Sequence, residues 1–340
     1  MLFRSPEVYR LVLQGNHHAN KLTEEALRKG IGYFEQALAK DPNYAPAHAG
    51  VAFAWANLSS VYVRPREAMP KAKEAALRAI QLDETLVDAH PWLGLVHLFY
   101  DYDLAGAERE FRRALELNPN SAEAHTAFGV FLARSGRKSE AVAEVKKAQE
   151  LDPLSLFVHS GGLGAATVWF VSRDYDQTIE QARRANEIDP NFGWNHAWMG
   201  LAYAEKGDFA QSLAAYEKAT QLDPSPMLKA MKAHGYAVAG KRREAEKLLA
   251  EVKAHYKSSY LCAYEIAVTH VAFGEKDQAF EWLNRAVDDR ADCIPFLPVD
   301  PRMDPIRADP RFQDLLDRAG LVPRRKASVE PADRLAEMLG

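Results

Sequence analysis

Between residues 122 and 153 the chain reads AEAHTAFGVFLARSGRKSEAVAEVKKAQELDP. Ala124, Phe128, Phe131 and Leu132 fall at helical spacing and predict a first amphipathic helix. Gly136 supplies a turn. Ala141, Val145 and Ala148 form a second helical stripe. Asp152-Pro153 then ends it, because proline disfavours helical geometry in the residue before it. The same proline can open the next helix, where no amide donor is needed. Residues 193–224 repeat the plan with Met199, Gly200, Tyr203, Gly207, Tyr216, Ala219 and Pro224.

The unit recurs along the chain. Its junction reads LAKDPNYAPAH at 38–48, IQLDETLVDAH at 80–90, LELNPNSAEAH at 115–125, QELDPLSLFVH at 149–159 and NEIDPNFGWNH at 186–196. TQLDPSPMLKA at 220–230 is a weaker copy. From Pro119 the prolines step by 34, 37 and 34 residues, to Pro153, Pro190 and Pro224. Several spaced positions recur together, so a period near 34 identifies a repeat architecture of helix pairs.

Within one period, Trp92-Leu93-Gly94, Ala107, Phe111, Ala114 and Pro119 stand in the order large residue, Leu-Gly, small residue, aromatic, Ala, Pro. This resembles the tetratricopeptide repeat family. The resemblance implies an all-α fold: a right-handed superhelical solenoid of antiparallel helix pairs, about eight repeats long, with a C-terminal capping segment. The units are placed at 7–43, 44–84, 86–120, 121–154, 155–190, 191–224, 225–258 and 259–291, within an array at 1–291. A capping segment at 292–321 holds three Asp-Pro steps and a short amphipathic helix. Residues 322–340 read as a flexible tail. The closing segment and the first repeat resemble those of bacterial signalling proteins whose repeats follow a winged-helix, nucleotide-cyclase or Ser/Thr kinase domain.

Charge and composition narrow the function. The 340 residues carry 43 Lys plus Arg against 47 Asp plus Glu, a net charge of −4. That balance argues against a nucleic-acid binder. No apolar run reaches the ~18 to 20 residues of a spanning helix, and Arg4, Glu7 and Arg10 interrupt any signal-peptide core. Cys262 and Cys293 form no framework or metal-ligand spacing, so a reduced, cytoplasmic chain is expected.

Candidate chemistry resolves into structure. His48, His90, His125, His159 and His196 share one repeat position. Helices pack about 8–10 Å apart, whereas zinc needs ligand nitrogens within about 2.1 Å of one ion. The histidines therefore cannot converge, and a packing role with one nitrogen hydrogen-bonded is expected. GLGAAT at 162–167 approaches a dinucleotide fingerprint but lacks the preceding strand. Its glycines are expected to loosen a helix or admit a close neighbour. Asp300, Asp304 and Asp309 each precede proline and read as caps. Asp101, Asp103, Asp174 and Asp176 read as solvated turn residues. No nucleophile, base and carboxylate form a recognisable set. No enzyme activity, cofactor or metal is expected.

By resemblance, five positions per repeat face a concave groove. Four lie at +1, +5, +8 and +9 from the repeated histidine. They nominate Phe53, Asn57, Leu95, Phe99, Thr126, Val130, Arg134, Leu201 and Glu205 as partner-binding residues. The mostly apolar lining lacks the Lys, Asn and Arg set with which chaperone-binding members hold a carboxylate. It suits an amphipathic helix or leucine-rich peptide, or the protein's own tail. The expected function is a non-catalytic protein–protein interaction scaffold, with a protein or peptide partner, no nucleic acid and no membrane. The alternative is the regulatory C-terminal module of a bacterial signalling protein: a transcriptional regulator, nucleotide cyclase or Ser/Thr kinase. The partner's identity and the oligomeric state stay open.

Overall fold

The computed structural model describes residues 5–59, 62–161, 164–258 and 260–321. The expected tail at 322–340 lies outside them. The described residues form an all-α superhelix, and no strand occurs among them. The helices follow one another as antiparallel pairs: α1 (Pro6–Ala19) with α2 (Glu24–Lys40), α3 (Ala45–Leu58) with α4 (Pro65–Leu82), and α5 (Ala89–Val96) with α6 (Leu104–Leu117). Next come α7 (Ala122–Arg134) with α8 (Lys138–Leu151), and an interrupted first helix, α9 (Leu156–His159) and α10 (Ala165–Val171), with α11 (Tyr175–Ile188). Then follow α12 (Gly193–Glu205) with α13 (Phe209–Leu222), α14 (Pro226–Val238) with α15 (Arg242–Ser258), and α16 (Ala263–Ala272) with α17 (Lys276–Asp288). Short 3-10 turns, Ile294–Phe296 and Pro301–Ile306, lead to the closing helix α18 (Pro310–Arg318).

Turn chemistry sets the helix starts. Asp103, Asp174 and Asp208 cap α6, α11 and α13 by accepting the backbone N–H groups of Gly106, Gln177 and Gln211. Two of the carboxylates expected to be merely solvated are therefore caps. Asp101 is also engaged, by Lys73 at 2.6 Å.

Pairs interlock through one aromatic ring on the second helix. Phe34 of α2 is fully buried against Gly15 of α1 and Gly50 of α3. Tyr216 of α13 lies in the same way between Gly200 of α12 and Gly235 of α14. A side chain on those glycines would enter the ring, so Gly there is a packing requirement. The ring fills the space within its own pair and the space to the next pair together.

The break in the fifth pair has a similar cause. A side chain on Gly161 would collide with the Trp198 indole, and one on Gly164 with the carbonyls of Phe157 and Ser160. Part of the GLGAAT segment, residues 162–163, lies outside the described residues.

Seven of the eight intra-pair turns carry a left-handed residue among the described residues. Gly136, Gly207, Gly240 and Gly274 supply it with φ between 71° and 77°. Leu22, Tyr102 and Arg173 take the same conformation without that freedom, at a cost of about 1–2 kcal/mol each. Two of these three side chains hold the closing segment. Tyr102 donates its hydroxyl to the Ala291 carbonyl at 3.1 Å, and Arg173 pairs with Asp304 at 2.6 Å. Arg66 of α4 reaches the Asp288 carbonyl, and Arg290 donates to the Tyr100 carbonyl at 2.9 Å. The array thus curls until its last pair meets the second and third.

The two cysteines are paired, against the expectation of a reduced chain without a disulfide framework. Cys262, the N-cap of α16, is bonded to Cys293 at the head of the closing segment. Their separation of 31 residues spans one helix pair, so the chain returns to where it began.

Candidate functional site

The repeated histidine pins the junction between pairs. His48, His125 and His159 direct Nε2 to the carbonyl oxygens of Pro42, Pro119 and Pro153, at 3.0, 2.9 and 3.0 Å. Each carbonyl belongs to the turn entering that pair. The opposite nitrogen of His90 meets Glu110 at 2.8 Å, and that of His125 meets Glu144 at 2.5 Å. Burial works against charging the His125 ring, but the Glu144 carboxylate and the Pro119 carbonyl outweigh it and raise its pKa. The residues hold turns, as the helix spacing required.

First helices line the inside of the curl, which encloses a cavity of about 220 Å³. Asn57, Leu95, Phe99, Arg134 and Leu201, five of the nine residues nominated from the sequence, line it. Leu95, Phe99, Arg134 and Leu201 are buried in its wall, whereas Phe53, Asn57 and Glu205 are half-buried. Thr126 and Val130 are fully buried and belong to the packing between helices.

Arg134 ends α7 at the deep side. Its guanidinium lies 4.0 Å from the Phe99 ring and 3.0 Å from the Phe296 ring of the closing segment. Its Nη1 donates to the Asp292 carbonyl at 3.4 Å. Arg302 closes the opposite wall. It binds Glu265 at 2.9 Å and Asp300 at 2.8 Å, with all three side chains less than a tenth exposed. Tyr264 donates its hydroxyl to Asp300 at 2.9 Å. Burial alone would lift the Asp300 pKa, but Arg302 reverses the direction and lowers it.

His234 is buried in α14 within the field of this cluster. Desolvation and the Arg302 cation, partly offset by Asp300, lower its pKa to about 3. The unfolded ring takes up its proton near pH 6.5, whereas the folded one does not. This contribution to stability is complete above about pH 6.5 and is lost as pH falls toward 3, by about 1.4 kcal/mol per unit. Thermal midpoints measured from pH 7.5 to 4.5 should fall, and His234→Gln should flatten the decline. An unchanged slope in that variant would locate the acid sensitivity elsewhere.

The fifth groove position, two residues before the repeated histidine, was not assigned in the sequence. It carries Asp88, Glu123, Phe157 and Trp194 in four consecutive pairs. Phe157 and Trp194 are half-buried and line the cavity, with Trp198 and Met227. Glu123 is solvent-exposed, with the surrounding protein limiting its hydration. That desolvation, with the Asp88 and Asp152 carboxylates, pushes its pKa up to about 7. Counting from the histidine would have found this row.

Family models for the tetratricopeptide repeat match residues 97–155 and 195–226. The transcriptional regulator HilA of Salmonella typhimurium is 28% identical over 142 residues, covering 42% of this chain and 26% of the relative. A peroxisomal targeting signal receptor of Kluyveromyces lactis is 24% identical over 223 residues, 65% of this chain and 36% of that one. The chain thus spans about a quarter to a third of these relatives' length. Among solved structures, the human IFIT1 dimer with PPP-AAAA superposes with a TM-score of 0.53 at 16% identity, covering 78% of this chain and 69% of that one, which is a likeness of fold. No helix among the described residues is long and apolar enough to cross a membrane. Repeated helix pairs, aromatic–glycine interlocks and the family matches agree, and the chain carries tetratricopeptide repeats.

Proposed function

We propose that the chain is a non-catalytic scaffold that receives a segment of a partner protein in the hollow of its superhelix. Tetratricopeptide repeat proteins generally mediate protein–protein interaction. The observation that carries the reading is the set of half-buried side chains Phe157, Trp194, Trp198 and Met227 that line the cavity. Large apolar side chains lining a cavity suit a partner's anchoring side chain. In this reading Phe53, Asn57 and Glu205 touch the partner at the edge. Leu95, Phe99, Thr126, Val130, Arg134 and Leu201 shape the wall behind it. In this reading the scaffold acts away from nucleic acid and membrane and needs no cofactor.

A charge at Leu95 or Phe99 would disrupt the core, since these side chains are 1% and 3% exposed. The test therefore uses Trp194→Ala and Met227→Ala. Both variants should keep the wild-type circular dichroism, with a thermal midpoint still well above the assay temperature. Each should reduce recovery of specifically captured host proteins about tenfold, as expected for loss of an interface anchor. Equal recovery by folded variants would overturn the reading.

A second reading makes the chain the regulatory module of a bacterial signalling protein. The similarity to the transcriptional regulator HilA favours it. The partner is then an effector domain, and a DNA-binding, cyclase or kinase domain should dominate the captured material.

A further inference from the structure

The row two residues before the repeated histidine has an order of its own. Asp88 is the N-cap of α5, Glu123 lies in the first turn of α7, Phe157 is in α9 and Trp194 is in the first turn of α12. Two carboxylates are thus followed by two aromatics along one line of first helices. The line is continuous. Asp88 stands one helical turn before Trp92, whose ring meets Phe157 at 5.9 Å.

The carboxylates have no counter-ion. No hydrogen bond or ion pair engages the Asp88 or Glu123 side chain among the described residues. Asp152 lies near enough to Glu123 to add to the repulsion. The cations of the hollow are occupied elsewhere, Arg302 by Asp300 and Glu265 and Arg134 between Phe99 and Phe296. Neighbouring like charges without a counter-ion, in line with partly exposed aromatic rings, complement a cation on both counts.

Resting on the reading that a partner segment enters the hollow, we propose that this row is a docking strip for a positively charged peptide segment. Lys or Arg side chains meet Asp88 and Glu123, and larger apolar or guanidinium side chains stack on Phe157 and Trp194. Neighbouring first helices sit about 8–10 Å apart. An extended peptide advances about 3.3 Å per residue. The strip therefore reads basic, basic, apolar, apolar at a spacing of about three residues.

The probe is a fluorescein-labelled peptide, KSGKSGLSGLSG, compared with its counterpart carrying Glu in place of both Lys. Anisotropy titrations should show saturable binding of the Lys peptide and at least tenfold weaker binding of the Glu peptide. The double variant Asp88→Asn/Glu123→Gln should weaken the Lys peptide about tenfold with an unchanged thermal midpoint. Glu116→Gln/Glu150→Gln removes the same charge from exposed second-helix positions and should leave binding unchanged. No saturable binding at millimolar peptide, equal binding of the two peptides, or no effect of the Asp88/Glu123 change overturns the proposal. If Trp194→Ala abolishes binding while Asp88→Asn/Glu123→Gln does not, the basic partner fails and the hollow stands. If neither alters binding, the hollow itself is not the site.

Discussion

Arg302→Met should cost about 3–5 kcal/mol, the usual penalty for removing one partner of a buried ion pair. The guanidinium is held by Glu265 at 2.9 Å and Asp300 at 2.8 Å, and none of the three side chains is more than 8% exposed. Without it, two carboxylates face each other in a dry site. The Tyr264 hydroxyl still reaches Asp300 at 2.9 Å, but it neutralises neither. The loss should appear in urea unfolding monitored by helical circular dichroism, with the C-terminal pairs melting first. Repeat arrays unfold pair by pair when their coupling weakens, so a broadened transition is part of the expected result. Adding Glu265→Gln and Asp300→Asn to Arg302→Met should return about half of the stability, because the charges then leave together. If Arg302→Met alone matched the wild type, the cluster would not hold the closing segment to α16.

The repeat itself was legible because each unit restates the same physics. Phe34, Phe111 and Tyr216 recur opposite glycines, and Gly136, Gly207, Gly240 and Gly274 mark the turns. Local chemistry of this kind is visible in a few dozen residues. Closure of the curl was not. It depends on Tyr102 meeting Ala291 across 189 positions and Arg173 meeting Asp304 across 131. Nothing near Tyr102 or Arg173 in the chain signals a left-handed conformation; each replaces the expected glycine with a side chain that reaches the closing segment.

The same closure explains what became of the nominated groove. Positions counted from a family pattern assume an open concave face. Here the inner side of a tightly curled array is partly its core, so Thr126 and Val130 are fully buried while Phe53 and Asn57 keep contact with solvent. The −2 row was missed because its members differ chemically. Asp88, Glu123, Phe157 and Trp194 share a place, not a residue type. Cys262 and Cys293 were missed for a related reason, since a separation of 31 residues acquires meaning only when α16 and α17 fold back on each other.

Tyr216 separates ring from hydroxyl in the interlock. The ring is completely buried between Gly200 and Gly235, and its hydroxyl has no hydrogen-bond partner among the described residues. Tyr216→Ala should cost about 3–5 kcal/mol, because it opens a cavity between two pairs that cannot close without moving α12 against α14. Tyr216→Phe should act in the opposite direction. It keeps the ring and removes a desolvated hydroxyl, for a gain of about 1 kcal/mol. Phe34 already makes the same contact without a hydroxyl, between Gly15 and Gly50. Urea unfolding of the two variants measures both terms at one position. A loss in Tyr216→Phe comparable to that in Tyr216→Ala would mean that the hydroxyl, and not the packed ring, couples the sixth and seventh pairs.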